Sequence, residues 1–397
     1  MTAVTVIEPA AVPLPMSAPV AADLARPVLN FWVFGAPYLV TIVYFFTRLT
    51  DDDRIYAPIF PVIITAAAAA IAILIKRRLP EINRELVMFM LAYAAIGVLS
   101  VLLNGNNDLY ALRKIGLPLV CMAPGIFRYY TSGRQMAPFL AALFVVAFIY
   151  TTQTSQIEAG GLFTTDSPNE SILSVAFGAM AVWLVASSRL TLAGLAGIAC
   201  VFFFKRNAMG AGLVVTLVVL AVMWLWREQA TPVLRRILLG TVPLVAILAF
   251  YLSDLFDFAA SNLVRGYDAE YLSVGRAAIY DLIIRDYDHS SLREQLLGRG
   301  AGAVENMVSS ARALAPGLQL AHDEYLSWLY DFGIIGLVVL LVMLVRLWRS
   351  GNAAVAVLLF MTIAMTAENF FLISFNCLAV FALLSTHMVS ARPADGS

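Results

Sequence analysis

The chain has 397 residues, of which 61% are apolar and only 13% charged, with a formal net charge of zero at neutral pH. A soluble domain carries about 25% charged residues, so this chain has too little polar surface for a water-soluble protein of its size, and lipid must be the solvent for much of it. The balanced charge leaves no basic footprint for a nucleic acid.

The first 30 residues are rich in Ala, Pro and Val, with no Lys or Arg before Arg26. A secretory signal needs a basic start ahead of its apolar core, so residues 1–30 are expected to form a disordered cytoplasmic tail. Long apolar runs follow. In lipid, backbone groups must be satisfied within the segment, which makes such runs helices. The expected spans are 31–48, 57–75, 85–103, 109–127, 137–152, 170–188, 190–204, 209–226 and 237–254. After a long polar stretch come 324–346, 352–370 and 373–390, then a tail at 391–397. The fold class is therefore all-α: a polytopic membrane protein of about a dozen transmembrane helices. Its large loop, 255–322, lies between helices 31–254 and 323–390.

Lys and Arg are retained on the cytoplasmic side. With the N-terminus inside, 14 of the 26 basic residues fall in inner segments, and six of the rest lie in the long loop, where the bias has little force. The loop then faces the periplasm, and the protein sits in a bacterial inner membrane. Four outer cations, Arg113, Lys114, Lys205 and Arg206, run against the bias at membrane boundaries. Cations there either snorkel to the interface or serve an anionic ligand.

Within the loop, residues 269–286 place Leu272, Ala277, Ile279, Tyr280, Ile283 and Ile284 at helical spacing, as in an amphipathic helix on a membrane or over a cavity. Arg276 sits in that helix. It is either salt-bridged, to Asp281 or Glu270, or an anion ligand whose guanidinium fork matches phosphate oxygens. The turn GRGAG (298–302) and a second helical stretch near 303–314 follow. The chain re-enters the membrane at AHDEYLSWLYDFGIIGL (321–337), where Asp323 and Glu324 suit the positive end of a helix dipole. His322 stands at that re-entry point, and its titration range suits proton transfer near neutrality. Cys121, Cys200 and Cys377 lie in apolar runs and read as small buried hydrophobes. His289, His322 and His387 are too scattered for a zinc site. No metal and no cofactor is expected.

The stretch from Ser273 to Leu337 resembles the core of the O-antigen ligase and polysaccharide polymerase family. That family's pattern runs from an arginine-bearing amphipathic helix through Leu-Gly-x-Gly to His-Asn-x-Tyr-Leu and a glycine-bounded apolar helix. Here it reads VGRAAIYDLI (274–283), LLGRGAG (296–302), HDEYLSWL (322–329) and GIIGL (333–337). DSPNESILSVAFG (166–178) is similar to the family's Pro-Asn segment, and KRNAMGAGLV (205–214) to its arginine-bearing one. Asp323 stands where Asn is usual, and Lys-Arg-Asn at 205–207 where Ser-Arg-(Gly/Ala) is commoner.

The resemblance implies a GT-C-like, metal-independent glycosyltransferase working at the periplasmic face. The donor would be a glycan on undecaprenyl diphosphate. The acceptor would be another glycan for a polymerase, or lipid A–core for a ligase, with membrane lipid and other polysaccharide-assembly proteins as partners. His322 would be the general base, with Arg276 and Arg206 stabilising the departing diphosphate. Lys205, Arg113, Lys114, Asn169, Arg265, Tyr325, Gly298 and Gly300 would bind substrate. The rival reading is a lipid-glycan flippase or another transporter, which would carry repeated halves and broken helices meeting near the bilayer midplane.

Overall fold

The computed structural model describes residues 81–388, apart from 106–108, 155–172, 204–205, 227–228, 253, 256, 259–275, 312–322, 352 and 367–373. The expected spans 31–48 and 57–75 lie outside the described residues. The elements in chain order are α1 (Arg84–Asn104), α2 (Leu109–Met122), a 3₁₀ turn (Ala123–Ile126), β1 (Tyr129–Thr131), α3 (Gly133–Thr154), α4 (Leu173–Ala186), α5 (Leu190–Phe202), α6 (Arg206–Trp226) and α7 (Ala230–Phe250). Beyond the gap come α8 (Arg276–Asp288), α9 (Leu292–Leu297), α10 (Ala303–Ala311), α11 (Glu324–Arg346), a 3₁₀ turn (Leu347–Ser350), α12 (Ala354–Ala364), α13 (Ser374–Leu384) and β2 (Thr386–Met388).

Among the described residues, four helical segments are long and apolar enough to cross a membrane: Arg84–Asn104, Ala208–Trp226, Ala230–Phe250 and Glu324–Ser350. At 1.5 Å per residue a 21-residue helix spans about 31 Å, which matches a hydrocarbon core of about 30 Å. The chain is thus a predominantly helical membrane protein. α4 and α12 are shorter and apolar all round. They are buried along nearly their whole length, with Trp183 and Phe360 wholly enclosed. A helix without a polar face belongs at the centre, and α4 packs against α5, α6, α12 and α13. The outward faces of α1, α6 and α7 carry exposed Leu91, Leu102, Leu213, Leu217, Leu244 and Ile247, as lipid contact requires.

The expected boundaries at 85–103, 190–204 and 324–346 are close to those observed. The run expected at 137–152 is longer, 133–154, with Pro138 inside it. α7 begins at Ala230 rather than 237, because a helix in lipid can carry Arg235 and Arg236 one to two turns inside its end by snorkelling. The last expected helix, 373–390, stops at Leu384. The chain then turns extended and β2 pairs in parallel with β1, Tyr130 opposite His387. This ribbon departs from an all-helical plan.

The segments rich in Lys and Arg meet at one end of the bundle. Glu85 at the start of α1 lies 3.4 Å from Arg346 and 3.9 Å from Arg349. Ile82 bridges to Phe127, and Arg128 lies 3.2 Å from Glu81. The Asn83 amide donates to the Ser385 hydroxyl at 2.7 Å, and Ser385 donates on to the Gly125 carbonyl. Gly133 lies beside the Arg189 side chain. At the other end, Arg293 of α9 donates to the Leu103 carbonyl at 2.6 Å. Positions 84, 128, 189, 346 and 349 thus lie toward one end of the helical bundle. The three cysteines are free and buried.

Candidate functional site

The site begins with the way α11 starts. Asp323 is extended and its side chain accepts from the Leu326 N–H at 3.0 Å, an N-cap that ends the preceding loop. Glu324, Ser327 and Asp331 then recur at i, i+3 and i+7, so they share one face of the helix. All three are completely buried.

A lysine meets that face. Lys114 of α2 is also completely buried. Its Nζ donates to Ser327 Oγ at 2.9 Å and to Glu305 Oε1 at 3.1 Å. The Glu324 and Asp331 carboxylates lie 3.7 Å away. Tyr93 of α1 donates to the Lys114 carbonyl at 2.8 Å, which fixes the backbone that carries the lysine. Charges so enclosed are tolerated only when paired and hydrogen-bonded. Removing one partner of a buried pair typically costs about 3–5 kcal/mol.

Asp331 has a second task. Its two oxygens accept from the N–H groups of Gly302, at 3.1 Å, and Val304, at 3.0 Å. These are backbone donors at the start of α10, left without partners inside their own helix. One carboxylate therefore caps a loop helix and pairs with a lysine on a different helix.

The GRGAG turn is seated by backbone alone. Gly298, Gly300 and Gly302 have φ of 80°, 112° and 80°, conformations that L-residues with a side chain rarely adopt. α11 is broken at Gly333, with φ 69° and ψ −179°. The break frees the carbonyls of Tyr330 and Asp331 from the helix ladder. The N–H groups of Arg299, at 3.0 Å, and Gly300, at 3.1 Å, take them instead, and the Ser100 hydroxyl donates to the Asp331 carbonyl at 3.2 Å. A Cβ on Gly298 would run into the Asp331 carbonyl, and one on Gly333 into the Leu296 backbone.

Arg299 ties the loop helices to this turn. Its guanidinium donates to the Asp286 carboxylate, to Tyr330 Oη at 3.0 Å and to Ser290 Oγ at 2.8 Å. Tyr330 also donates to the Asp286 carboxylate. Beneath them, Ile279, Tyr280 and Ile283 of α8 pack with Val304, Val308, Leu326 and Tyr330 as a small separate core. On α9, Ser291 and Glu294 form a capping box, and the Ser291 donors hold the Glu294 carboxyl below the usual carboxylate range.

The expected site residues fall as follows. Arg276 is the first residue of α8 and is partly buried; its expected neighbour Asp281 pairs with Arg285 at 4.0 Å. Arg206 is the first residue of α6, and Arg113 precedes Lys114 on α2. His322, Lys205, Asn169 and Arg265 lie outside the described residues. Lys114 differs from the expected boundary cation: its charge is taken up inside the fold, because three buried carboxylates surround it. Tyr325 is wholly buried, and its hydroxyl donates to the Thr362 carbonyl at 2.8 Å, bracing α11 against α12. Gly298 and Gly300 serve backbone packing: the Gly300 N–H donates to the Asp331 carbonyl of α11, and Gly298 lies directly against that same carbonyl. The fold brings Lys114, Gly298 and Gly300 together through Asp331.

Glu305, Ser327 and Asp331 were not among the expected residues. Their signal is in the chain nonetheless: an apolar span with polar groups at 324, 327 and 331 only buries that stripe if a cation meets it. Among the described residues no group of three or more His, Cys, Asp or Glu is arranged to hold a metal ion. Comparison of the chain with family models, with curated proteins and with solved structures returns no significant match.

Proposed function

We propose that this protein is a membrane-embedded glycosyltransferase of the O-antigen ligase and polysaccharide polymerase kind. It would have about twelve spans and a periplasmic loop at 255–322, and would sit in a bacterial inner membrane. An acceptor hydroxyl attacks the anomeric carbon of a glycan carried on undecaprenyl diphosphate. The glycosidic bond to the diphosphate breaks, and the lipid diphosphate leaves with the bonding electron pair. Arg206 and Arg276 meet the charge that develops on the leaving group, as preorganised cations do best in a water-poor site. His322 takes the acceptor's proton.

One observation carries the reading. The separate stretches on which the family resemblance rests pack on one another: 296–302 docks on 323–337 through Gly298, Asp331 and Gly333, and 276–283 joins them through Ile279, Tyr280 and Ile283 against Leu326 and Tyr330. A motif set scattered over 60 residues by chance has no reason to close into one body. Arg276 opens the helix that forms one wall of that unit, and His322 directly precedes the capping residue Asp323 that starts the other.

Among the described residues, the break in α11 is the feature that favours a transporter, since broken helices mark transport sites. Here the break is filled by the loop's own backbone, with Arg299 and Gly300 N–H groups on the freed carbonyls. A transport site would leave those carbonyls for its cargo.

The deciding experiment is transfer by the purified protein from a synthetic undecaprenyl-diphosphate glycan, with the glycans of a deletion strain analysed in parallel. Single repeat units in the strain identify a polymerase, and unligated long chains on carrier identify a ligase. Normal glycans in the strain, with no transfer in vitro, would sink the proposal. A reporter fused at Ser310 that reads as cytoplasmic would sink the topology.

A further inference from the structure

At the end of the bundle away from the Lys114 cage, two arginines lie over one indole. The Arg235 guanidinium lies 4.0 Å from the centre of the Trp348 ring, and that of Arg349 lies 5.5 Å from it. Arg346 stands two residues before Trp348, and a single carboxylate, Glu85, serves both Arg346 and Arg349. Arg84 and Arg236 are exposed beside these groups. Positive charge is therefore in excess on this patch, counted over the described residues.

Arg235 is the distinctive member. It is the sixth residue of α7, roughly 8 Å inside the helix end at 1.5 Å per residue. A cation at that depth is normally paired. Arg235 has no carboxylate partner among the described residues, and its Nε is buried without a hydrogen bond. Stacking on Trp348 uses the flat face of the guanidinium and leaves the in-plane N–H groups for oxygen acceptors. The same end of the bundle carries exposed Trp224 and Trp226 on the last turn of α6, six and four residues before α7 begins. Tryptophans concentrate at the headgroup level of a bilayer, so the arginine fork lies where lipid phosphates lie.

We propose that this patch binds the phosphate of an anionic phospholipid headgroup, held by Arg235 and Arg349 beside Trp348. Charge complementarity selects the occupant: basic clusters between membrane helices attract anionic lipid, each cation near the surface contributing about 1 kcal/mol. The lipid's acyl chains lie along the exposed apolar faces of α6 and α7. The inference depends on the fold alone and stands whether or not the chain transfers glycans. It also places the bound lipid at the opposite end of the bundle from the loop helices.

The test is lipid retention by the full-length protein. Protein purified in neutral detergent is mixed with phosphatidylglycerol or phosphatidylcholine, and retained lipid is counted by native mass spectrometry. Thermal stability is followed in the same samples. The expected result is preferential retention of phosphatidylglycerol and a higher Tm with it than with phosphatidylcholine. Arg349→Gln should weaken that retention about fivefold, the loss of one headgroup cation, and Arg235→Gln by at least as much. Arg285→Gln, on the exposed loop helix, should leave it unchanged. Arg349 is half-exposed outside the helix proper, so its variant folds even if Arg235→Gln does not. Equal retention of the two lipids, or full retention by Arg349→Gln, overturns the proposal. So does an equal Tm rise with inorganic phosphate alone, which would mark a soluble-anion site.

Discussion

Lys114 and Glu305 are 191 residues apart in the chain and 3.1 Å apart in the fold. One belongs to a helix of the bundle, the other to a nine-residue helix of the long loop. Their contact, with Glu324 and Asp331 close by, fastens the loop to the end of the bundle.

Lys114→Met should therefore destabilise severely, by about 3–5 kcal/mol, because three buried carboxylates lose their shared cation. Glu305→Gln should be far milder, since its amide oxygen can still accept from Lys114 and Oε2 has no hydrogen bond to lose. Thermal melts of the purified variants in one detergent check the difference. Equal losses would mean that the cage's charge balance is not what holds the loop.

Gly298→Ala should be costly and Gly240→Ala should not. Gly298 combines a positive φ with backbone contact to Asp331, and such strain costs of order 1–3 kcal/mol before the collision is counted. Gly240 lies in α7 with nothing within 4 Å of a Cβ. Alanine there should raise helix stability by up to about 1 kcal/mol. Proteolysis of the loop and melting of the whole protein read the two effects separately.

If the transferase reading holds, His322→Gln should lower turnover by about 10²–10⁴-fold while leaving donor-lipid binding nearly intact. Arg276→Lys should also impair turnover, because a point charge does not replace a bidentate fork. Turnover and donor binding measured side by side distinguish these from misfolding. Wild-type turnover by the His322→Gln protein would remove that histidine from the proton step.

The capping box on α9 should respond to acid. Hydrogen bonds from Ser291 lower the Glu294 carboxyl in the folded state, so the cap's contribution is complete above the ordinary carboxylate value. It is lost as the pH falls through the depressed folded value. Amide exchange at residues 292–297, corrected for intrinsic rates, should show protection falling in acid. Glu294→Gln should flatten that dependence, since its side chain does not titrate.

Most of the described membrane helices are legible in the sequence, because lipid forces long apolar runs into helices with few alternatives. Ile279, Tyr280 and Ile283 were legible for the same reason: their spacing marks a buried face whatever covers it. The extended segment at 386–388 was not, since an apolar run that ends a helix and one that continues it look alike until β1 supplies a partner. The lysine cage was half legible. Lys114 stands out as a cation against the charge bias, but its use depends on Glu305, which only tertiary contact brings to it. The glycine turn shows the same limit from the other side. Its sequence marks unusual backbone, and only the break at Gly333 reveals that this backbone docks on α11.

The hydrogen bond from Asn83 to Ser385 crosses 302 residues. At about 5–20 residues per second, a ribosome takes roughly 15–60 s to make that stretch. For most of this interval the Asn83 amide, the Gly125 carbonyl and the β1 edge are already synthesised, but Ser385 and β2 are not. The base of the bundle thus stays open through most of biogenesis and is latched only when the final helix arrives. A chain truncated before Ser374 would enter the membrane with that latch unmade, offering a bare strand edge and unpaired polar groups to the cell's membrane proteases.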